Sequence, residues 1–525
     1  MKKLLLLLAV PFLFLVMSGC KKSFSDLTIN ENKPTSVPPS LLFNGIVNDI
    51  VEAPYTMKER WNQYYCCNYD YYGNNRYDFS SGDDYYSTLK NVVKMEEEAA
   101  KMGLPAGNVY SAMGKFFKAY LFSRMSLQMG DLPMSDALNG ASSLKPVYDP
   151  QKNIFMKSLA WLDTANTDLS ALITSGDNNL KGDIFFDNNL SKWRKVVNSL
   201  KLRLLINLSK KAGDADLNLK QQFTAVMGKS VDLLLQGRAD DLAYVFIHPT
   251  NDYPMTPDNF GFDALRYNTS GTYVGLLAQL HDPRVYVTTE PAAAIVAGGA
   301  SPTSFTAFVG APPGEDQGNM YIKANSGQYS LINRYHFYQT YTGEPSIQIG
   351  YSEQCFNIAE AINRGWITSG PLGDAEAYYK EGIRSSMNYY GIPETGNYTA
   401  HFLKSGSAGP TAVYSTYDIP VDFTAYYNQA TVKYAGNSIA GLNQVLTQKY
   451  IALFRHAGLE SYFQYRRTGV PLFNVGPGTG NSGRIPNRFK YPSVERTANA
   501  ENYNAALKTQ FSGNDDINGV MWILQ

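Results

Sequence analysis

The sequence predicts a mostly α protein: a scaffold of paired helices carrying a loop-rich insertion and few short strands. Three observations support this. Apolar residues recur at helical spacing from about 109 to 236 and again from 352 onward. Asp, Pro and Gly fall at the ends of those periodic runs, where helices open and close. Between about 248 and 350 the periodicity lapses, and Pro, Gly, Thr, Asn and Tyr crowd together.

Composition narrows the class. The chain has 525 residues, 44% hydrophobic and 18% charged, enough apolar surface for a large core. Its 46 basic residues balance its 46 acidic ones, so the basic excess of a nucleic-acid binder is missing. Four cysteines are too few for a disulfide framework in a chain this long. Tyrosine is the outlier, at 38 against 5 Trp and 26 Phe.

The elements follow in order. Lys2-Lys3 and the apolar run Leu4 to Met17 read as a signal peptide over residues 1–19, since the run is shorter than the roughly 20 residues a spanning helix needs. Ser18-Gly19-Cys20 resembles a lipobox, with Met17 where leucine is commoner. Cys20 is therefore the expected lipid anchor, and its acyl chains would hold the protein on a membrane. Cleavage before Cys20 removes Lys2 and Lys3 and leaves 44 basic against 46 acidic residues. Residues 20–40, with Pro34, Pro38 and Pro39, read as an extended lipidated tether, and 41–525 as one helical domain.

Within that domain, Asp83-Asp84 is expected to cap a helix on which Glu96-Glu97-Glu98 forms a solvated face. Val109, Met113, Phe116, Tyr120 and Leu127 share one face of the next helix, which ends at Gly130. Asp149-Pro150 reads as N-cap and first turn of a helix running to Gly176. Further helices are predicted from Ser191 to Gly213 and from about Leu217 to Gln236. Ser352–Trp366 and the helix after Gly373-Asp374 make one helix–turn–helix unit. Small residues near its turn (Ala359, Ala361, Ala375, Ala377) allow tetratricopeptide-like packing. Helices from about Ile439 to Tyr465 and Glu495 to Phe511 complete the set.

No nucleophile elbow, Walker loop or HExxH is present, and the five histidines lie at least 33 positions apart, which argues against a zinc site. Gly478-Thr479-Gly480-Asn481-Ser482-Gly483 matches GxGxxG by letter, but Arg484-Ile485-Pro486 follows instead of a helix, so it reads as a loop. Either Cys66 or Cys67 pairs with Cys355, or all three are buried free thiols. No CxxC spacing suggests a thiolate metal site. Neither a catalytic residue, a metal nor a cofactor is expected.

The chemically richest stretch is Trp61 to Tyr86, where tyrosines alternate with Asn, Asp and Arg. A sugar ring offers C–H groups to an aromatic plane and hydroxyls to amide, carboxylate or guanidinium partners. Tyr adds a rigid contact that costs little side-chain entropy. The candidate ligand-binding residues are Tyr69, Tyr71, Tyr72, Asn74, Arg76 and Tyr77, suited to an oligosaccharide or a peptide. Trp61 and Tyr65 read as core packing.

A series of short segments carries a family resemblance. They are Gly130-Asp131-Leu132-Pro133, Gly182-Asp183 with Trp193, Asn198-Ser199-Leu200-Lys201-Leu202-Arg203 and Asp282-Pro283-Arg284. Ala359-Glu360-Ala361 with Arg364-Gly365-Trp366, Gln448-Lys449-Tyr450 and Arg466-Arg467-Thr468-Gly469 with Pro471 complete it. In this order the chain resembles the SusD/RagB-type nutrient-binding outer-membrane lipoproteins of Bacteroidetes, and within them the second SusD-like subgroup. The resemblance implies a tetratricopeptide-like scaffold that faces the cell exterior. It also implies a SusC/RagA-type TonB-dependent transporter as partner, and capture of an oligosaccharide or peptide without catalysis. It places ligand contacts in variable loops: Tyr69 to Tyr77, then the 250–345 region with Tyr321, Tyr329, Tyr335, Tyr338 and Tyr341. Arg203, Arg466 and Arg467 are expected in buried hydrogen-bonded pairs. Two rival readings are a surface glycoside hydrolase on a helical scaffold and a non-binding lid of the transporter.

Overall fold

A computed structural model describes residues 36–228, 230–259, 263–407 and 412–525. The predicted leader, Cys20 and most of the tether lie outside the described residues. The first half runs α1 (Pro39–Asp49), α2 (Met57–Trp61), β1 (Tyr65–Cys67), α3 (Tyr86–Lys101), α4 (Val109–Met129), α5 (Gln151–Thr174), α6 (Leu190–Asn207) and α7 (Leu219–Met227). On α3, Leu89, Val92, Met95 and Ala99 form the buried stripe that helical spacing demands, and the helix packs on α1 and α4. α4 opens where the Asn108 side chain accepts from Ser111 N–H and closes at Gly130, whose φ of 101° suits only glycine. α4 packs on α5 and α5 on α6. Every residue from Val196 to Asn207 is buried, so α6 runs through the interior.

The middle segment contains β2 (Leu242–Tyr244), β3 (Tyr267–Thr269), α8 (Gly271–Gln279), α9 (Val285–Thr288), α10 (Ala293–Ala297), α11 (Gln317–Asn325), α12 (Arg334–Tyr338) and β4 (Ser346–Ile349). Its helices are nine residues or shorter, too brief to show a 3.6 period against the surrounding turns. Two strands tie it back: β3 pairs antiparallel with β1, placing Cys66 opposite Asn268, and β4 pairs antiparallel with β2.

The second half has α13 (Tyr351–Asn363), α14 (Ala375–Tyr389), β5 (Thr395–Leu403), β6 (Tyr414–Asp422), α15 (Phe423–Tyr427), α16 (Ile439–Ala452), α17 (Glu460–Thr468), α18 (Glu495–Ala498) and α19 (Ala500–Phe511). α13 and α14 form the expected close pair. Gly382 makes it possible, because a Cβ there would sit 2.7 Å from the Phe356 ring. Among the described residues no helix is long and apolar enough to cross a membrane.

Several local expectations need correction. Asp149 does not cap α5: its carboxylate turns back to Met134 N–H (2.9 Å) and Ser135 N–H (2.8 Å). The Asp131 carboxylate instead accepts from Gln151 N–H at 2.7 Å, satisfying a donor the helix leaves open. Burial raises this carboxyl to about 6. Asp83 is taken by Lys58 and Gln128, and only Asp84 meets α3, through Tyr86 N–H at 3.0 Å. Glu98 is buried between Lys94 and Lys101 rather than solvated. The predicted helix at 217–236 is only Leu219–Met227. The predicted 439–465 helix breaks in two, because Arg455, Ala457 and Gly458 take left-handed φ values of 66°, 57° and 58°. Tyr65 packs in the core as expected, but on β1 beside Cys66 and Cys67. The β5–β6 hairpin, paired from Thr395↔Asp422 to Leu403↔Tyr414, is an addition.

The short segments behind the family resemblance fall into buried polar networks. Asp183 accepts from the Trp193 indole at 2.8 Å. Arg284 donates to Asp282 (2.6 Å), Ser386 (2.9 Å) and Gln448 (2.5 Å), joining the insertion to α14 and α16. Arg203 pairs with Glu353 across α6 and α13. Arg467 pairs with Glu360, which also accepts from Arg364 at 2.8 Å. Arg466 is hydrogen-bonded as expected, but to backbone: it donates to the carbonyls of Asn487 and Leu127, both at 2.6 Å. Cys66, Cys67 and Cys355 are buried free thiols.

Candidate functional site

The tyrosine-rich loop starts where β1 ends. The Asn75 side chain accepts from Cys67 N–H (2.8 Å) and donates to Cys67 C=O (2.9 Å), pinching residues 68–74 into a closed loop. Asn68, also buried, donates to Asn268 Oδ1 (2.7 Å) and Leu265 C=O (2.9 Å) and fixes the loop's base to the insertion. Gln317 at the start of α11 donates to Gly73 C=O at 2.7 Å, and Arg60 to Asn74 C=O at 3.0 Å. Inside these clamps Asp70–Tyr72 makes one 3₁₀ turn that lifts its side chains outward.

The structure brings three tyrosines of the loop together with Tyr321 of the insertion and adds Arg266. Tyr69 stacks on Tyr321 of α11, centroids 5.2 Å apart and planes 29° apart. The Arg266 guanidinium lies 4.9 Å from the Tyr69 centroid and 5.9 Å from that of Tyr72. Tyr72 is half-buried and meets Tyr71 edge-on at 5.2 Å. Tyr71 is 81% exposed. Tyr69 is therefore already engaged by a ring and a guanidinium, whereas Tyr71 offers its face to solvent. Asp70 is exposed beside it. Asn74 accepts from Arg76 N–H at 2.9 Å, and Arg76 pairs with Asp78 at 2.5 Å on the open surface.

Tyr77 does not belong to this face. It is fully buried, donates to Trp61 C=O at 2.7 Å and accepts from Gln63 at 3.3 Å, and its N–H bonds Thr479 C=O at 2.8 Å. Burial pushes its phenol well above the usual tyrosine range. Residue alternation explains the difference: in the extended stretch 75–79, Asn75, Tyr77 and Phe79 point inward while Arg76 and Asp78 point out. Replacing Tyr77 by Phe should cost about 1 kcal/mol of stability and leave ligand affinity unchanged, as measured by chemical denaturation and calorimetry.

Of the insertion tyrosines, only Tyr321 joins the cluster. Tyr329 donates to Glu315 at 2.6 Å, Tyr335 stacks on His401 at 3.8 Å, Tyr338 is buried, and Tyr341 stacks on His248 at 4.4 Å. Arg266 went unnoticed in the sequence because it is the one lysine or arginine between Arg238 and Arg284, and the β1–β3 pairing carries it to the loop. The Gly478–Gly483 run forms short 3₁₀ turns packed against residues 313–315, where a Cβ on Gly478 would collide with the Glu315 carbonyl. It is a structural support beneath the tyrosine loop. No group of three metal-ligating side chains occurs among the described residues.

An open aromatic face with amide, carboxylate and guanidinium neighbours thus stands on a helix-pair scaffold. Comparison with known proteins places the chain in a family. The SusD-like family model of the second subgroup, described as starch-binding and associating with the outer membrane, matches residues 31–492, and the chain belongs to that family. Two SusD homologues from Bacteroides fragilis share its structure. One is 30% identical with a TM-score of 0.79, and the other 26% identical with a TM-score of 0.76; in both cases 93% of this chain and 100% of that chain are covered. A chitin-binding SusD homologue from Flavobacterium johnsoniae, 18% identical over 93% of this chain and 98% of its own, shares the fold with a TM-score of 0.67. No curated protein matches. The protein is thus a member of a carbohydrate-binding, outer-membrane nutrient-uptake family with a mostly helical scaffold.

Proposed function

We propose that the protein is a cell-surface lipoprotein that captures an oligosaccharide on the Tyr71 face and delivers it to a SusC/RagA-type TonB-dependent transporter, without catalysis of its own. The observation that carries this reading is Tyr71, a large ring 81% exposed on a loop fixed by four hydrogen bonds, two of them buried. A rigid loop has already lost its conformational freedom, so binding does not have to supply that cost. Tyr71 would stack on a pyranose face, and Asp70, Asn74 and the Arg76–Asp78 pair would meet hydroxyls. Family membership supports carbohydrate over peptide as the ligand class. Titration of the mature protein against starch, chitin and other oligosaccharides by calorimetry is the test. Heat from at least one, with no product formed on prolonged incubation, is expected. Turnover abolished by one carboxylate substitution would establish a hydrolase instead.

Anchoring rests on Cys20. Cys20→Ala should move the protein from the outer-membrane fraction to the soluble one on cell fractionation, because the acyl chains supply the membrane affinity at about 0.8 kcal/mol per buried CH₂. Retention in the membrane would mean a different anchor.

A further inference from the structure

A second cleft lies away from the tyrosine face, between the end of α14, the base of the β5–β6 hairpin and the turn at 236–238. Its volume is about 270 Å³. Its walls carry Arg238, Glu381, Arg384, Asn388 and Glu394, and Phe423 forms an apolar wall. The charges are distributed unevenly. Glu381 and Glu394 share one cation, Arg384, at 3.0 Å and 2.8 Å, which leaves an excess negative charge at that end. Arg384 is stacked over Phe423 at 4.7 Å, so it is held in place and does not leave the pair readily. Arg238 has the opposite imbalance. One nitrogen donates to the Asn388 carbonyl (3.0 Å) and side-chain oxygen (3.2 Å), its plane lies 4.9 Å over Tyr389, and among the described residues no carboxylate forms an ion pair with it, buried Asp241 interacting with it only through space. The four charged groups sum to zero, yet one cation and one anion are each left without full compensation inside a concave site.

We infer that this cleft binds a small zwitterion carrying an ammonium and a carboxylate, either a free α-amino acid or the ends of a short peptide. The carboxylate meets the free edge of the Arg238 guanidinium, which accommodates two parallel hydrogen bonds. The ammonium meets Glu394, whose side chain is 62% exposed. An apolar side chain lies along Phe423, Met387 and Ile392. A neutral sugar would leave both charges uncompensated, and a simple anion would answer only one.

The test is calorimetry on the full mature chain with L-methionine, triglycine, sodium acetate, methylammonium chloride and glucose as probes. L-Methionine or triglycine is expected to bind with a dissociation constant on the order of 1 mM, and acetate, methylammonium and glucose much more weakly. Methionine alone binding identifies a free amino acid as the source, and triglycine binding at least as well identifies peptide ends. Glu394→Gln and Arg238→Gln should each weaken binding about tenfold, the loss of one charge-assisted contact. Glu394 is a surface residue, so that variant keeps the fold even if Arg238→Gln loosens the turn. The Tyr71→Ala, Tyr72→Ala variant should bind methionine as the parent does, which separates this cleft from the proposed glycan face. Acetate or glucose binding as tightly as methionine, unchanged affinity in Glu394→Gln, or no binding of any probe would overturn the assignment.

Discussion

Changing both Tyr71 and Tyr72 to alanine is expected to lower affinity for the captured oligosaccharide by about 10- to 100-fold while leaving the melting temperature nearly unchanged. Tyr71 is 81% exposed and half-buried Tyr72 supports it edge-on, so neither ring anchors the core. A stacked aromatic contact is worth about 1 kcal/mol beyond the area it covers, and the two rings act as one platform, so their losses need not add. The clamps at Asn68, Asn75 and Gln317 stay intact, so the loop keeps its course. Calorimetry with the ligand found in the oligosaccharide screen measures the loss, and thermal unfolding checks the fold. Undiminished affinity in this variant would relocate the ligand to another surface of the insertion.

Glu360→Ala is expected to destabilise the protein by about 3–5 kcal/mol, the cost of leaving buried charges without their partner. Glu360 is fully buried on α13 and is shared by Arg467 and Arg364. Burial alone would raise its carboxyl, but Arg467, then Arg364 and Lys449, outweigh it and hold the group at about 2. A folded-state value below the unfolded one adds stability that is fully present above the unfolded carboxylate range, near pH 4.5. That stability is lost as pH falls toward 2, and it amounts to about 3 kcal/mol. Urea unfolding as a function of pH should therefore show a steep acid limb between about pH 4.5 and 2 in the parent, flattened in Glu360→Ala. Four raised carboxyls act in the opposite direction. Burial lifts Glu59, Glu290 and Asp241 to about 7 and Asp131 to about 6, and their contribution is present at low pH and lost as pH rises through those values. The parent should accordingly be most stable in mildly acidic solution. An Ala variant as stable as the parent, or an acid limb unchanged by the substitution, would show that the pair is solvated in solution.

Much of this protein is legible in the chain itself. The helical periods of α4, α5, α6 and the α13–α14 pair appear in the chain because each buries a continuous stripe at 3.6-residue spacing, a property local to the segment. Short motifs such as Gly-Asp-Leu-Pro and Asp-Pro-Arg pointed to the family. The tyrosine-rich loop announced itself by composition alone.

The linear pattern of the chain carries the helical class, the family and the candidate tyrosine-rich segment. Tertiary structure alone decided which tyrosine is available. Tyr69, Tyr71, Tyr72 and Tyr77 look alike in the chain, but Tyr321 and Arg266 occupy Tyr69 and the core swallows Tyr77, leaving Tyr71 open. The same holds for the break between α16 and α17 and for the charges gathered around Arg238 and Glu394. The reason is physical: periodicity and composition are sums over neighbours in sequence, whereas exposure, ring stacking and charge compensation depend on groups brought together from hundreds of residues away.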